Sequence, residues 1–455
     1  MPDRLPLQDI GRRTVPDLLD RAQAFGLDRP FLVDPRDGGE LSYGAFLERV
    51  AGAARRLAER FAPGCRVAVM LSNRPEYAVL RYALASAGLV EAAVNGEHRG
   101  LVLSGMLETA RPAAVVVEDR FAANLAGCGY DLAGAAVIGE REMIELVSCK
   151  RPWRERPRPE IGPGTPCRVI FTSGTTGRSK GAELAHAHEV FIGEQYVDPL
   201  GLGRDERWLY VTPYFHIDSL LVAGAMLHCG GALALAPRFS VSRFWSDVER
   251  SRATSFLYVG AILSLLVKGP DAPAGHTLRR AVGANCPLPL LERFEARFGV
   301  RVLEVYGLTE AAPATVNPHD RRRPGSIGLA VPGYEMAVLD SHGARLGAGE
   351  KGEIAIRPRE PWGIMTGYLG NPEATLERFR DFWFHTGDLG SFDQGGYFYF
   401  HGRLKDMIRR RGENISADEL EAIAGAHANV LYVAAVGVPS ELGDEEVMLH
   451  VQPRP

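Results

Sequence analysis

The chain has 455 residues, 46% of them hydrophobic and 24% charged, with a formal net charge of −4. That length exceeds one ordinary domain and calls for two or three compact units with a sizeable core. The charge balance leaves no basic field for nucleic acid or anionic lipid, no apolar run approaches the roughly 20 residues of a membrane span, and Met1–Arg13 lacks a signal peptide's apolar stretch.

In the first third, strand and helix patterns alternate. Ser42 is placed to cap a helix over Tyr43–Arg60, whose Phe46, Val50, Ala53 and Leu57 recur at helical spacing. Arg66–Met70 reads as a short buried strand, Pro75–Ala87 as a helix, and Ala113–Val117 as another strand. Strands separated by helices of that length predict parallel βαβ units. Arg151–Pro166 holds five prolines, two glycines and several charges, so an exposed connection is expected there. Arg168–Phe171 is a strand that runs straight into a glycine- and threonine-rich turn. From Tyr334 to Phe400 the texture becomes β-rich, with strands expected at Glu335–Leu339, Gly352–Arg357 and Gly396–Phe400; Gly402–Arg411 is charged and hinge-like. The six cysteines are scattered and form no CxxC pair, so neither a disulfide framework nor a zinc site is expected, and a cytoplasmic enzyme is.

The strongest chemical signal is Thr172-Ser-Gly-Thr-Thr-Gly-Arg-Ser-Lys-Gly181. Three glycines let the backbone turn tightly and aim N–H groups into one concavity, as anion sites require. The hydroxyls of Thr172, Ser173, Thr175 and Thr176 add donors, and Lys180 adds a cation. The strand before it sets the loop at a carboxyl edge, where open α/β sheets bind ligands. It lacks the glycine spacing and the Gly-Lys-Ser/Thr ending of a Walker A loop. Taken alone, the run could also be a polar surface turn.

Its company decides between them. Thr172–Gly181, Tyr306-Gly-Leu-Thr-Glu310, His385-Thr-Gly-Asp388 and Gly402-Arg-Leu-Lys-Asp406 occur in that order with domain-scale gaps. The set resembles the motifs of the adenylate-forming superfamily, in its acyl-CoA synthetase branch, from about residue 30 to the end of the chain. Gly412-Glu-Asn-Ile-Ser416 resembles the segment that faces the pantetheine tunnel in CoA-forming members. The resemblance implies an α/β fold: a large N-terminal domain of parallel βαβ sheets over residues 1–404, with a β-rich subdomain at about 334–400, and a small α+β C-terminal domain over 405–455.

The resemblance also assigns roles. Thr172, Ser173, Gly174, Thr175, Thr176, Gly177 and Lys180 would surround the phosphates of ATP, or of AMP in an acyl-AMP. Tyr306 would stack on adenine beside Gly307, Thr309 would contact the AMP phosphate, and Glu310 with Thr176 would hold Mg²⁺. Asp388 and Arg403 would bind the ribose, Lys405 would sit at the domain hinge, and Gly412 would face CoA. Ala284 and Asn285 stand in Val282–Leu288, which departs from the family's Gly-Gly-Ala-Pro-like adenine turn. His216, in Pro213-Tyr-Phe-His-Ile-Asp218, matches a position beside the acyl group; by itself such a histidine also reads as a core residue. Val259, Gly260, Ala261, Ala311, Ala312 and Ala314 are expected to leave a pocket for a bulky acyl group.

One departure bears on the reaction. Family members carry a lysine in a C-terminal Gly-Lys segment that assists adenylation, and no Gly-Lys pair occurs here beyond residue 412. The C-terminal domain is expected to be shortened, and the chain to retain thioester formation from acyl-AMP and CoA, a separate enzyme making the adenylate. The alternatives are a fragment of a complete ATP-dependent acid–CoA ligase and an inactive nucleotide-binding protein. A peptide-synthetase adenylation domain is disfavoured because no carrier domain follows.

Overall fold

The computed structural model describes residues 10–172, 179–404, 407–410, 413–425, 427–439 and 445–454. The early elements form as their patterns dictate. Ser42 accepts a hydrogen bond from the backbone N–H of Ala45 at 3.2 Å, capping the helix Tyr43–Ala58, whose Phe46, Val50, Ala53 and Leu57 are buried. Arg66–Met70 and Ala114–Val117 are adjacent parallel strands, and the helix Pro75–Ser86 begins with its proline in the first turn, where no N–H is missed.

These strands belong to the first sheet. Five of them, Pro166–Thr172, Val90–Ala93, Arg66–Met70, Ala114–Val117 and Ala136–Ile138, run parallel. Lys180–Ala185 folds back antiparallel on Pro166–Thr172, and Gly367–Tyr368 pairs on its outer side. Thr172 and Lys180, paired across this hairpin, therefore stand at the carboxyl edge of the parallel strands.

The second sheet changes character along its width. Pro30–Val33, Ala232–Leu235, Arg207–Tyr210, Ser255–Val259, Arg280–Ala284 and Arg301–Leu308 are parallel. At Arg301–Leu308 the sheet switches: Ala311–Val316 returns antiparallel, followed outward by Gly328–Ala330, Tyr397–Arg403, Trp383–Phe392, Gly352–Pro358 and Tyr334–Leu339. The β-rich part expected to begin at Tyr334 thus begins at Ala311. It is continuous with the parallel strands through backbone hydrogen bonds, so it is no separate layer.

Between the sheets lies one large apolar core, and in it a chain of buried charges. Arg168 pairs with Glu91 and, at 2.6 Å, with Glu189; Arg81 reaches Glu91 at 3.3 Å and donates to the Ser219 hydroxyl at 2.6 Å. The helices His186–Leu200 and Asp218–Cys229 cross where Gly193 meets Gly224; a Cβ on Gly193 would lie 2.4 Å from the Gly224 carbonyl carbon. Beyond Leu404 the described residues form a hairpin, Met407–Arg410 with Glu413–Ser416, a helix, Ala417–Gly425, and a second hairpin, Val430–Pro439 with Glu445–Pro453. These pack on a small cluster of Ile408, Ala417 and Ala435.

Candidate active site

A cavity of about 1360 Å³ opens at the carboxyl ends of the parallel strands of both sheets, on the switch strand Arg301–Leu308. It gathers residues far apart in sequence: Thr172 and Lys180 from the hairpin, Ala284 from the end of a strand, His216 and Asn285 from loops after strands, Tyr306–Glu310, and Asp388 and Arg403 from the antiparallel half. Ser173, Gly174, Thr175, Thr176 and Gly177, with Lys405 and Gly412, lie outside the described residues.

Each described motif has a local cause for its placement. Strand Trp383–Phe392 shifts register against both neighbours, between His385 and Leu389 on one side and between Asp388 and Gly390 on the other, and Gly387 takes φ +73°, so the strand is irregular at His385–Asp388. Glu353 holds this kink, one carboxylate oxygen 2.7 Å from His385 Nδ1 and the other accepting the Gly387 N–H at 2.9 Å. Asp388 is thereby aimed at the cavity. Its Oδ2 accepts the Tyr306 hydroxyl at 2.7 Å, and Oδ1 lies 3.3 Å from Arg403 Nε, an ion pair that makes no hydrogen bond. Burial lifts the Asp388 carboxyl above its ordinary value, against the Tyr306 hydrogen bond and the Arg403 charge. A buried carboxylate oxygen left without a donor among the described residues fits a ligand that brings hydroxyls.

Glu310 is buried at the cavity wall and accepts the hydroxyl of Tyr368. The face of the same tyrosine receives Lys180, whose Nζ lies 5.3 Å from the ring centroid. Tyr368 therefore bridges the hairpin to the Tyr306–Glu310 turn, a part that no local sequence signal announces. Glu304 is a second residue the motifs do not mark. It stands two positions before Tyr306 on one strand, hence on the same face. It lines the cavity and accepts the backbone N–H of Cys286 at 3.0 Å. Burial pushes Glu304 up to about 7 and the Cys286 thiol up to about 12, so this thiol is inert at neutral pH; all six cysteines are unpaired. Asn285, in the left-handed region at φ +62°, turns the loop Ala284–Pro287 onto the cavity.

At the other end, Phe215, His216 and Ile217 line the wall, and burial lowers the His216 pKa below its ordinary value. The small residues expected to make acyl room do other work. Ala311, Ala312 and Ala314 are buried in the antiparallel strand beside the switch strand and do not line the cavity. Gly307 does line it, and a Cβ there would come within 3.2 Å of the Ala311 carbonyl oxygen, so smallness here closes the hairpin. Val259 ends a strand, half exposed, and Gly260 opens the helix Gly260–Lys268; neither lines the cavity. A Cβ on Gly260 would sit 1.9 Å from the Asn285 carbonyl oxygen, so this glycine admits the Asn285 turn. None of Val259, Gly260, Ala311, Ala312 and Ala314 therefore forms the cavity wall.

With this geometry in hand, likeness to known proteins is informative. The model of the AMP-binding enzyme family matches residues 18–369. Sulfoacetate–CoA ligase of Cupriavidus necator is 33% identical over 97% of this chain and 90% of its own length. Crotonobetaine/carnitine–CoA ligase of Escherichia coli is 32% identical over 95% of this chain and 88% of its own. The crystal structure of ATP-bound MatB from Rhodopseudomonas palustris superposes with a TM-score of 0.87 at 27% identity, covering 96% of this chain and 88% of that one. Among the described residues, no helix is long and apolar enough to cross a membrane.

Proposed function

Because the chain belongs to the AMP-binding enzyme family, in the acyl-CoA synthetase branch of the adenylate-forming superfamily, we propose that this cavity binds an acyl-AMP and passes its acyl group to CoA. The observation that carries the reading is the convergence of Lys180, Tyr306–Glu310 and Asp388 with Arg403 on one cavity, with Asp388 Oδ1 left without a hydrogen-bond donor among the described residues. The ribose hydroxyls would donate to Asp388, with Arg403 beside it. Tyr306 would stack on the adenine, and Glu304, on the same strand face, would accept from the base's exocyclic amine. Relatives that are CoA ligases for sulfoacetate and for crotonobetaine or carnitine support an acid as substrate and CoA as acceptor.

The phosphate end fits Mg²⁺. That ion takes one or two carboxylates and draws its other ligands from phosphates and water. Glu310, with one oxygen engaged by Tyr368, would hold it together with Thr176. Bound there, it would neutralise phosphate charge. Lys180 would do the same from the hairpin side.

In the full reaction a carboxylate oxygen attacks the α-phosphorus and pyrophosphate leaves; the CoA sulfur then attacks the acyl carbon and AMP leaves. The first step needs a cation at the α-phosphate. Among the described residues the Lys and Arg side chains at the cavity are Lys180, Arg378 and Arg403, and Arg403 is engaged by Asp388. Lys180 is placed to supply that charge; the finer alternative, in which the second step is the stronger one and a separate enzyme supplies the adenylate, is the reading to be tested against it. Removing one transition-state cation commonly costs about 10²–10³ in rate. Two assays separate the readings. Acid-dependent exchange of pyrophosphate into ATP together with thioester formation marks a complete ligase. Thioester from synthetic acyl-AMP and CoA without exchange marks the half-reaction. Neither product, with any of a broad panel of acids, sinks the ligase reading.

A further inference from the structure

The short helix Pro372–Arg378 starts just after Tyr368 and ends on a cation at the cavity. Asn371 caps it, accepting the Ala374 N–H at 3.0 Å, and Pro372 stands in its first turn. Thr375 Oγ1 accepts the backbone N–H of Tyr368 at 2.9 Å, so the helix is fixed to the residue whose hydroxyl Glu310 accepts. Arg378, its last residue, lies against the kink at His385–Asp388. Its Nη1 donates to the His385 carbonyl at 3.1 Å, and a Cβ on Gly387 would stand 2.9 Å from the same nitrogen. Arg378 thus links the element that engages Glu310 to the one that aims Asp388, and all three residues line one cavity.

This cation lacks the counter-charge that its neighbours have. Arg403 pairs with Asp388 at 3.3 Å and Arg380 with Glu353 at 3.9 Å. Among the described residues, no carboxylate lies within ion-pair distance of Arg378. A guanidinium carries five N–H donors, and holding the His385 carbonyl takes one donor and no charge. Burial raises the pKa of both Tyr368 and Asp388, and the Arg378 charge works against it at each, in keeping with a place between them.

The nucleotide reading says what that charge would meet. With the ribose at Asp388 and the metal at Glu310, the 5′-phosphate, joined to the ribose through one carbon, falls between two carboxylates. An anion placed there is repelled by both and needs cations beside it. Lys180 comes to it from the hairpin and Arg378 from the kink. A guanidinium can meet two phosphate oxygens at once, which an ammonium group does not do. Resting on the acyl-AMP reading above, we propose that Arg378 binds the α-phosphate of the nucleotide, as a second cation beside Lys180 that stands outside every sequence motif of the site.

The test sets AMP against adenosine, which lacks the phosphate, in metal-free calorimetric titration of the whole chain. The wild type should bind AMP the more tightly. R378Q should shrink that preference about tenfold or more, the scale of one charge-assisted contact, and leave adenosine within about twofold of its wild-type affinity. A preference that R378Q leaves unchanged overturns the proposal. Equal losses for AMP and adenosine overturn it too, because they mark a residue that only holds the kink and Asp388 in place. A second measurement needs no variant: modification of Arg378 by phenylglyoxal in the unaltered chain, read by peptide mass, should be slowed severalfold by AMP and not by adenosine. Equal protection by the two, or none by either, overturns the proposal even if R378Q fails to fold. AMP binding that is indifferent to Arg378 defeats this inference alone; binding of neither AMP nor adenosine defeats the acyl-AMP reading beneath it as well.

Discussion

At the scale of single residues, Glu304 makes the sharpest demands. Burial holds its carboxyl near 7, against an ordinary 4.5, so the folded chain keeps this proton where the unfolded chain has lost it. The stabilisation is full below about pH 4.5 and is lost as pH rises to about 7, a swing of about 3 kcal/mol. Unfolding free energies of the wild type and E304Q across that range should therefore diverge as pH rises, with the variant losing less; parallel curves would contradict it. An adenine amine at Glu304 favours the ionised form, so AMP binding near pH 6.5 should release a proton, seen as a buffer-dependent binding enthalpy that E304Q abolishes. Asp388 gives a second prediction. D388A removes the acceptor of the Tyr306 hydroxyl and the counter-charge of Arg403, and should weaken AMP about 10–100-fold, read by titration. Asp388 is legible in the sequence because its motif is local. Glu304 is not: its importance comes from sharing a strand face with Tyr306, and only the observed strand register reveals which neighbours it meets.

At the scale of elements, close backbone approaches decide where the loops around the cavity stand. Gly260 lets the start of its helix meet the Asn285 turn, and an added methyl group would overlap the Asn285 carbonyl at 1.9 Å. G260A should therefore cost about 1–3 kcal/mol, as overpacking does, and weaken AMP because Ala284 and Asn285 move with the turn. Unchanged AMP affinity with normal stability would refute this account. The sequence shows the small residues at 260 and 311–314 plainly enough. It does not show whether smallness makes room for a ligand or for another backbone, and here it is the latter. The hairpin at Lys180 is a related case: the strand before the loop is readable, but its antiparallel return and the pairing of Gly367–Tyr368 on its outer side depend on contacts across nearly two hundred positions.

At the scale of the whole molecule, the buried charges between the sheets are the feature most exposed to single changes. Arg168 balances both Glu91 and Glu189 in the interior. R168M would leave Glu189 without its ion-pair partner and Glu91 with Arg81 alone, and breaking such a buried pair costs about 3–5 kcal/mol. A clear drop in thermal midpoint is expected for R168M, with substantial recovery when Glu91 and Glu189 are also replaced by glutamine; equal midpoints for the single variant and wild type would exclude the network as a structural tie.

Read by itself, the sequence determined the fold class, the order of the motifs, the family and a polar set of the residues that surround the cavity, Lys180, Tyr306, Thr309, Glu310, Asp388 and Arg403 among them, because each is written in short stretches whose chemistry is local: a capped helix, an apolar strand, a glycine-rich turn, a His-Thr-Gly-Asp kink. The tertiary structure alone decided which of those stretches face one another. It moved Gly260, Ala311 and Ala312 from the acyl wall to backbone contacts, and it brought Glu304 and Tyr368 to the nucleotide end. The physical reason is that burial and pairing are properties of neighbours brought together across the two sheets, and no single segment of chain contains them.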